Sequence, residues 1–180
     1  MSMLIGDLAR QGLVYTGCTT AAGLCTGLST TYTGLLVYNP YGSGVNLIMY
    51  DGAAVLSAVA AAIAQPMISV SSSVSQTAPT AGTNAATIFP AKTGVVPPGN
   101  SLAITRTITT LPVVNVNYRV VPGSTQTGAV FIAKHYAKFD GSLIVSPGTG
   151  VMWSFTTTAY TAQYSFTWAE IPILPTVTGF

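Results

Sequence analysis

The sequence predicts an all-β protein, an antiparallel β-sandwich of jelly-roll type with extended terminal arms. Three observations carry this. The dominant spacing of apolar side chains is two, the period of a strand with one buried face. Clusters of Gly, Pro and Asn interrupt that spacing about every ten residues, as they do in sandwiches and barrels. The chain has 180 residues, enough for one domain with a respectable core. The expected division is an N-terminal arm at 1–11, a sandwich at 12–172 and a C-terminal tail at 173–180.

The elements follow in order. Residues 1–11 hold apolar Leu4, Ile5 and Leu8 beside Arg10, too short a stretch for a stable lone helix. Gly34-Leu35-Leu36-Val37-Tyr38 reads as a strand stopped by Asn39-Pro40, and Tyr41-Gly42-Ser43-Gly44 turns the chain into a strand at 45–50. Asp51-Gly52 and Asp140-Gly141 read as turns. Residues 53–64 are alanine-rich; Val55, Val59 and Ile63 fit a helical stripe or a strand, so an extended or short helical connection is expected. Ile68-Ser69-Val70-Ser71 alternates plainly, and 77–87 reads as a long exposed loop. Further strands are expected at 101–105 after Pro97-Pro98-Gly99, at 113–121 before Pro122-Gly123, and at 128–136.

Ser142-Leu143-Ile144-Val145 and Val151-Met152-Trp153-Ser154-Phe155 read as two strands joined by a tight reversal at Pro147-Gly148, which suits a type II turn. The clearest strand is the last one. There Tyr164, Phe166 and Trp168 alternate with Ser165, Thr167 and Ala169, and Glu170 is expected to mark its solvent end. The tail carries Ile173, Leu174 and Phe180. Both ends are expected to be arms that reach neighbouring subunits, with Leu4, Ile5, Leu8, Arg10, Ile173, Leu174 and Phe180 as contacts.

Only 6% of the residues are charged while 49% are hydrophobic; an ordinary soluble domain carries about 25% charge. Thr, Ser, Gly and Ala take the place of charge. Such a surface suits a subunit that buries much of itself against copies of itself or against a lattice. The net charge of +2 comes from scattered residues, with Lys134 and Lys138 alone lying close together, so no nucleic-acid footprint is expected. The longest apolar run, 53–64, falls short of the ~20 residues of a membrane helix. The N-terminus lacks the pattern of a secretory signal, so synthesis in the cytoplasm is expected. Cys18 and Cys25 lack a His/Cys cluster and read as two small buried hydrophobes; a disulfide across a short hairpin is the alternative.

The chemistry-bearing residues are few. Asp7, Asp51, Asp140 and Glu170 lie far apart in sequence, and His135 is the single histidine. No Gly-x-Ser-x-Gly elbow, Walker A loop or dinucleotide fingerprint occurs. The expectation is a non-enzymatic protein with no cofactor and no metal. His135 reads as a strand residue at a core edge or subunit contact. A hydrolase using it is the remote alternative. Trp153, Phe155, Tyr160, Tyr164, Phe166 and Trp168 read as core, with a sugar-stacking platform as the rival.

Four segments carry a resemblance. They are Ala9-Arg10-Gln11-Gly12-Leu13-Val14-Tyr15; Thr33-Gly34-Leu35-Leu36-Val37-Tyr38-Asn39-Pro40-Tyr41-Gly42-Ser43-Gly44-Val45-Asn46-Leu47; Asp140-Gly141-Ser142-Leu143-Ile144-Val145-Ser146-Pro147-Gly148; and Thr167-Trp168-Ala169-Glu170-Ile171-Pro172. In this order they resemble a group of tailed-bacteriophage virion proteins and bracket nearly the whole chain, while 51–119 matches loosely. The resemblance implies a small β-sandwich that decorates a capsid as a cement protein, commonly trimeric, on the outer surface of the virion. Its partners would be other copies and the major capsid protein. It implies no catalytic residues. A neck, tail or head-fibre component, and a carbohydrate-binding module using Trp153 or Trp168, are the alternatives.

Overall fold

The structure is a computed structural model that describes residues 5–25, 27–28, 31–57, 64–80, 86–92, 101–107, 109–111, 115–122, 134–156 and 160–173. One short helix, α1 (Ile5–Arg10), precedes the strands. These are β1 (Val14–Thr19), β2 (Gly23–Cys25), β3 (Thr31–Tyr32), β4 (Leu36–Asn39), β5 (Val45–Leu56), β6 (Pro66–Ser71), β7 (Ala86–Pro90), β8 (Ile104–Arg106), β9 (Thr109–Thr110), β10 (Asn115–Val120), β11 (Lys134–Val145), β12 (Thr149–Phe155) and β13 (Tyr160–Pro172). The all-β sandwich expected from the alternation is what forms. One sheet runs β11-β5-β13-β1-β7, with β2 also on β13; the other runs β10-β6-β12-β4-β8; β3 and β9 form a small ribbon.

Every pairing is antiparallel, and the pairs are nested. β1 pairs with β13, β4 with β12, β5 with β11 and β6 with β10. Rolling this nested set over itself adds the β13–β5 and β12–β6 pairings. β7 and β8 lie between β6 and β10 in sequence and extend the far edges, beside β1 and β4.

The expected reversal is present, and the strand order shows what it joins. Residues 142–145 and 151–155 do reverse at a tight turn, and Gly148 adopts the positive φ of 81° that Pro-Gly suggested. They do not pair with each other, however: β11 lies in one sheet and β12 in the other. The turn is a corner of the sandwich. Asn39 holds it, because its side-chain amide donates to the carbonyls of Val45 and Val145 at 2.8 and 2.9 Å, and its own carbonyl accepts from Gly148 N–H at 2.7 Å. A second corner, 40–44, is fixed by the same side chain.

The aromatics of β13 point inward as their alternation predicts. Phe166 stacks on Trp153 with centroids 5.8 Å apart, and Tyr15 on Trp168 at 6.4 Å. Trp153, Trp168, Tyr164, Phe155 and Phe166 are all fully buried; each contributes about 1.5–3 kcal/mol of transfer free energy or more. The rings need room, and glycine provides it. A Cβ on Gly52 would lie 2.7 Å from Phe166 Cε1, and one on Gly17 would lie 2.7 Å from Thr105 Cγ2 and 3.0 Å from the Trp168 ring.

Asp51-Gly52 is therefore not a turn. It sits inside β5, next to a bulge at Tyr50 where both neighbouring strands shift register. Asp140-Gly141 keeps its turn conformation, with φ of 50° and 82°, but as an excursion within β11. Of the ambiguous alanine-rich stretch, 53–56 continues β5 as strand, 57 and 64 lie outside any strand, and 58–63 lies outside the described residues. Of the strand expected at 101–105, residues 104 and 105 form strand, in β8, and 101–103 do not. Of the strand expected at 128–136, only 134–136 are described, as the start of β11.

Burial separates the sheets. In the β10-β6-β12-β4-β8 sheet the central strands are covered on both faces, Val37, Val151 and Trp153 filling the inside while Leu36, Tyr38 and Met152 are equally buried on the outside, and only its edge strand β10 is exposed. Residues 72–80 cross that outer face, where Tyr38 donates its hydroxyl to the carbonyls of Ser75 and Thr77. Among the described residues, the outer face of the β11-β5-β13-β1-β7 sheet is covered only at one end, by α1.

Candidate functional site

The terminal residues expected to meet partners are divided by the structure. Leu8 is 3% exposed and packs on Val14 and Ala169 of the same chain, with Ala9, Leu13, Ile48, Tyr50 and Ile171 around it. The first segment is thus a docked helix rather than a free arm from Ile5 onward, because Leu8 finds an apolar patch within reach. Ile5 and Arg10 stay exposed, and Arg10 pairs with Asp7 at 3.0 Å. Ile173 is exposed, its N–H bound to the Gly44 carbonyl at 2.9 Å. Leu4, Leu174 and Phe180 lie outside the described residues.

Glu170 corrects a second expectation. It does not mark a solvent end: it is 4% exposed and faces inward beside Trp168. Its carboxylate accepts from Ser101 Oγ, from the N–H groups of Leu102 and Ala103 at 3.0 and 3.2 Å, and from Trp168 Nε1 at 3.3 Å. A buried carboxylate costs several kcal/mol unless its oxygens are saturated, and four donors do that here. The result is a clamp that fixes the start of β8 against the end of β13. Sequence reasoning missed it because three of its four donors, two of them backbone N–H groups, lie almost seventy residues away.

His135 faces inward on β11 and is 3% exposed. Neither ring nitrogen has a well-aligned partner among the described residues. Burial pushes its pKa below the ordinary value, and the Pro122 backbone pulls weakly the other way. Among the described residues no serine or carboxylate is hydrogen-bonded to it. Asp51 accepts from the Tyr136 hydroxyl at 3.3 Å and Asp140 pairs with Lys138 at 3.3 Å, both at the surface. Among the described residues no three His, Cys, Asp or Glu side chains gather as metal ligands. Trp153 and Trp168 are wholly buried, which leaves no ring face on which a sugar could stack.

Cys18 and Cys25 form no disulfide. Cys25 is buried, its thiol directed at the Trp153 carbonyl at 3.4 Å, whereas Cys18 is half-exposed on the outer face of β1. Only one of the two is the buried hydrophobe expected. Among the described residues no helix is long and apolar enough to cross a membrane.

The remaining feature is the uncovered face itself. Register places Ala53, Ser165, Cys18 and Thr87 in one row across it, and Asp51, Thr167, Thr16 and Phe89 in the next. The floor is small and uncharged; Lys134, Lys138 and Asp51 lie toward its β11 border. No family model, curated protein or solved structure matches the chain.

Proposed function

We propose that the protein is a non-enzymatic virion structural subunit, one that decorates and stabilises a bacteriophage capsid as a cement protein. Its partners in this reading are copies of itself, as a homotrimer, and the major capsid protein on the outer surface of the shell. The observation that carries the reading is the pairing of a self-sufficient sandwich with a neutral, uncovered sheet face. Among the described residues the open face has central strands, β13 and β1, that present small uncharged side chains, with Asp51, Lys134 and Lys138 confined to its β5–β11 side. A protein working alone in solution puts charged side chains on such a face.

The strand order supports the reading. We read the arrangement β11-β5-β13-β1 against β10-β6-β12-β4, built from nested antiparallel pairs, as the wrapping of a jelly roll, a fold used widely in capsid proteins. A fold alone does not fix a function. The energetics of decoration do not demand more: an interface of about 1,600 Å² is standard, and symmetric repetition over a shell multiplies modest contacts into avidity.

The test is reconstitution. Capsids lacking the protein, mixed with purified protein, should take it up to a saturating, symmetry-related stoichiometry and resist heat-induced rupture better. Absence of uptake contradicts the reading. Uptake at a few tens of copies, confined to one vertex, assigns the chain to a neck, tail or fibre instead.

A further inference from the structure

We infer that His135 is a proton-operated latch at one edge of the sandwich. Neutral, it lets the end of β10 and the Pro122 corner seat on β11; protonated, it releases them while β13 and its neighbours stay paired. The latch is independent of the capsid reading, and each can fail without the other.

β10 and β11 are edge strands, one in each sheet. Arg119 of β10 reaches across the seam between them and donates to the Lys138 carbonyl at 2.7 Å. His135 stands inside that seam, on the inner face of β11, in a row that continues through Ala54 and Tyr164. Its ring is 3% exposed, and neither nitrogen has a hydrogen-bond partner among the described residues. The backbone of Pro122, at the exposed corner that follows β10, reaches it only weakly. A proton would add a second N–H to a ring with no aligned acceptor for the first.

The surrounding charges make that proton less welcome still. Lys134, Lys138 and Arg119, three of the chain's six cations, flank the seam. Of the four acids, Asp51 and Asp140 lie at the surface, engaged with Tyr136 and Lys138, and Asp7 pairs with Arg10 on α1. Glu170 is about 20 Å further along β13 than Tyr164, at ~3.3 Å per residue, and is saturated by its own donors. Across the core, burial keeps the Tyr164 hydroxyl neutral, with Cys25 and Tyr160 beside it. Tyr118 of β10 is exposed, and β6 and β12 carry no ionisable side chain. No Asp or Glu is therefore placed to stabilise an imidazolium at 135.

β10 is the element that gives way. Residues 116–120 are all exposed, a bulge at Tyr118 breaks the register, and β6 is its one strand partner among the described residues. Just beyond it, the Val121 N–H donates to the Pro66 carbonyl at 2.9 Å. β13, by contrast, is paired along both of its edges, with β5 and with β1. Elements with few buried contacts open first. Opening at this corner hydrates the ring and returns its pKa to about 6.5. The closed form refuses the proton and the open form takes it, so opening becomes more frequent as pH falls through ~6.5. For one such group the gain between pH ~7.5 and ~5.5 is about tenfold, with the carboxylates still ionised.

Amide hydrogen exchange, followed by nuclear magnetic resonance and corrected for intrinsic rates, reads the opening strand by strand. In the wild type, the Val121 amide and the β10 amides paired to β6 should open at least tenfold more often than those of β13. Their opening should grow about tenfold from pH ~7.5 to ~5.5. In His135→Leu, or in His135→Gln if His135→Leu fails to fold, it should not change with pH over that range. The single histidine gives a readout that needs no variant: its ring signals should be those of a neutral imidazole at pH ~6.5. Four results would each overturn the latch: β10 exchange indifferent to pH, openings of β10 no more frequent than those of β13, a pH response that survives replacement of His135, or a ring already half-protonated at pH ~6.5.

Discussion

The carboxylate of Glu170 receives the backbone N–H of Leu102 at 3.0 Å on each of its two oxygens. One side chain near the C-terminus thereby fixes the entry to β8, and with it an edge of the opposite sheet. The acid acts as a structural rivet between the end of β13 and the start of β8.

Removing it should be costly. Glu170→Ala leaves the Leu102 and Ala103 N–H groups and the Trp168 indole N–H without an acceptor in a buried place. Each orphaned donor costs about 1–3 kcal/mol, so a loss of at least ~3 kcal/mol is expected in urea titration. Glu170→Gln keeps one acceptor oxygen and should lose less. Equal losses for both variants would contradict the clamp.

Asn39 should behave similarly at the two corners. Asn39→Asp replaces the donating amide with an acceptor facing the carbonyls of Val45 and Val145. It should destabilise more than Asn39→Ala, which leaves the two carbonyls merely unpaired; the loss for Ala is expected at about 2 kcal/mol. The midpoints of urea unfolding check the order.

His135 predicts a pH dependence. Burial lowers its pKa in the folded protein below the unfolded value near 6.5. Below pH ~6.5 the unfolded chain takes up a proton that the folded one refuses, so stability falls with pH until the folded pKa is reached. His135→Leu should flatten the stability profile between pH ~6.5 and ~5, above the range where carboxylates titrate. A wild-type profile already flat there contradicts the assignment.

Gly52 should tolerate no side chain. Gly52→Ala drives a methyl to 2.7 Å from Phe166 Cε1 and 3.3 Å from Trp153 Cζ2. Overpacking of this kind costs about 1–3 kcal/mol, and at roughly 2–4 °C per kcal/mol for a chain of this size differential scanning calorimetry should show a clear drop in Tm.

Particular residues show why some of this was legible in the sequence and some was not. The alternation of Tyr164, Phe166 and Trp168 announces a half-buried strand because period two is local, and Pro147-Gly148 announces a turn because φ is local. Which strand that turn leads to is a matter of pairing between residues far apart. Hence the reversal between β11 and β12 was legible, while their placement in different sheets was not. Asp51-Gly52 has the composition of a turn, but its glycine answers to the ring of Phe166, more than a hundred residues away. Glu170 has a charge, which usually means water, and its donors come from a distant backbone. The scarcity of charge was visible in the composition, but register was needed to bring Cys18, Ala53 and Ser165 into one row.

The central claim, that this chain coats a capsid, is tested most directly by counting it in purified particles. Quantitative mass spectrometry of virions, with the major capsid protein as internal standard, should give hundreds of copies in a fixed ratio to that protein. A count of a few tens, or none, would contradict the account.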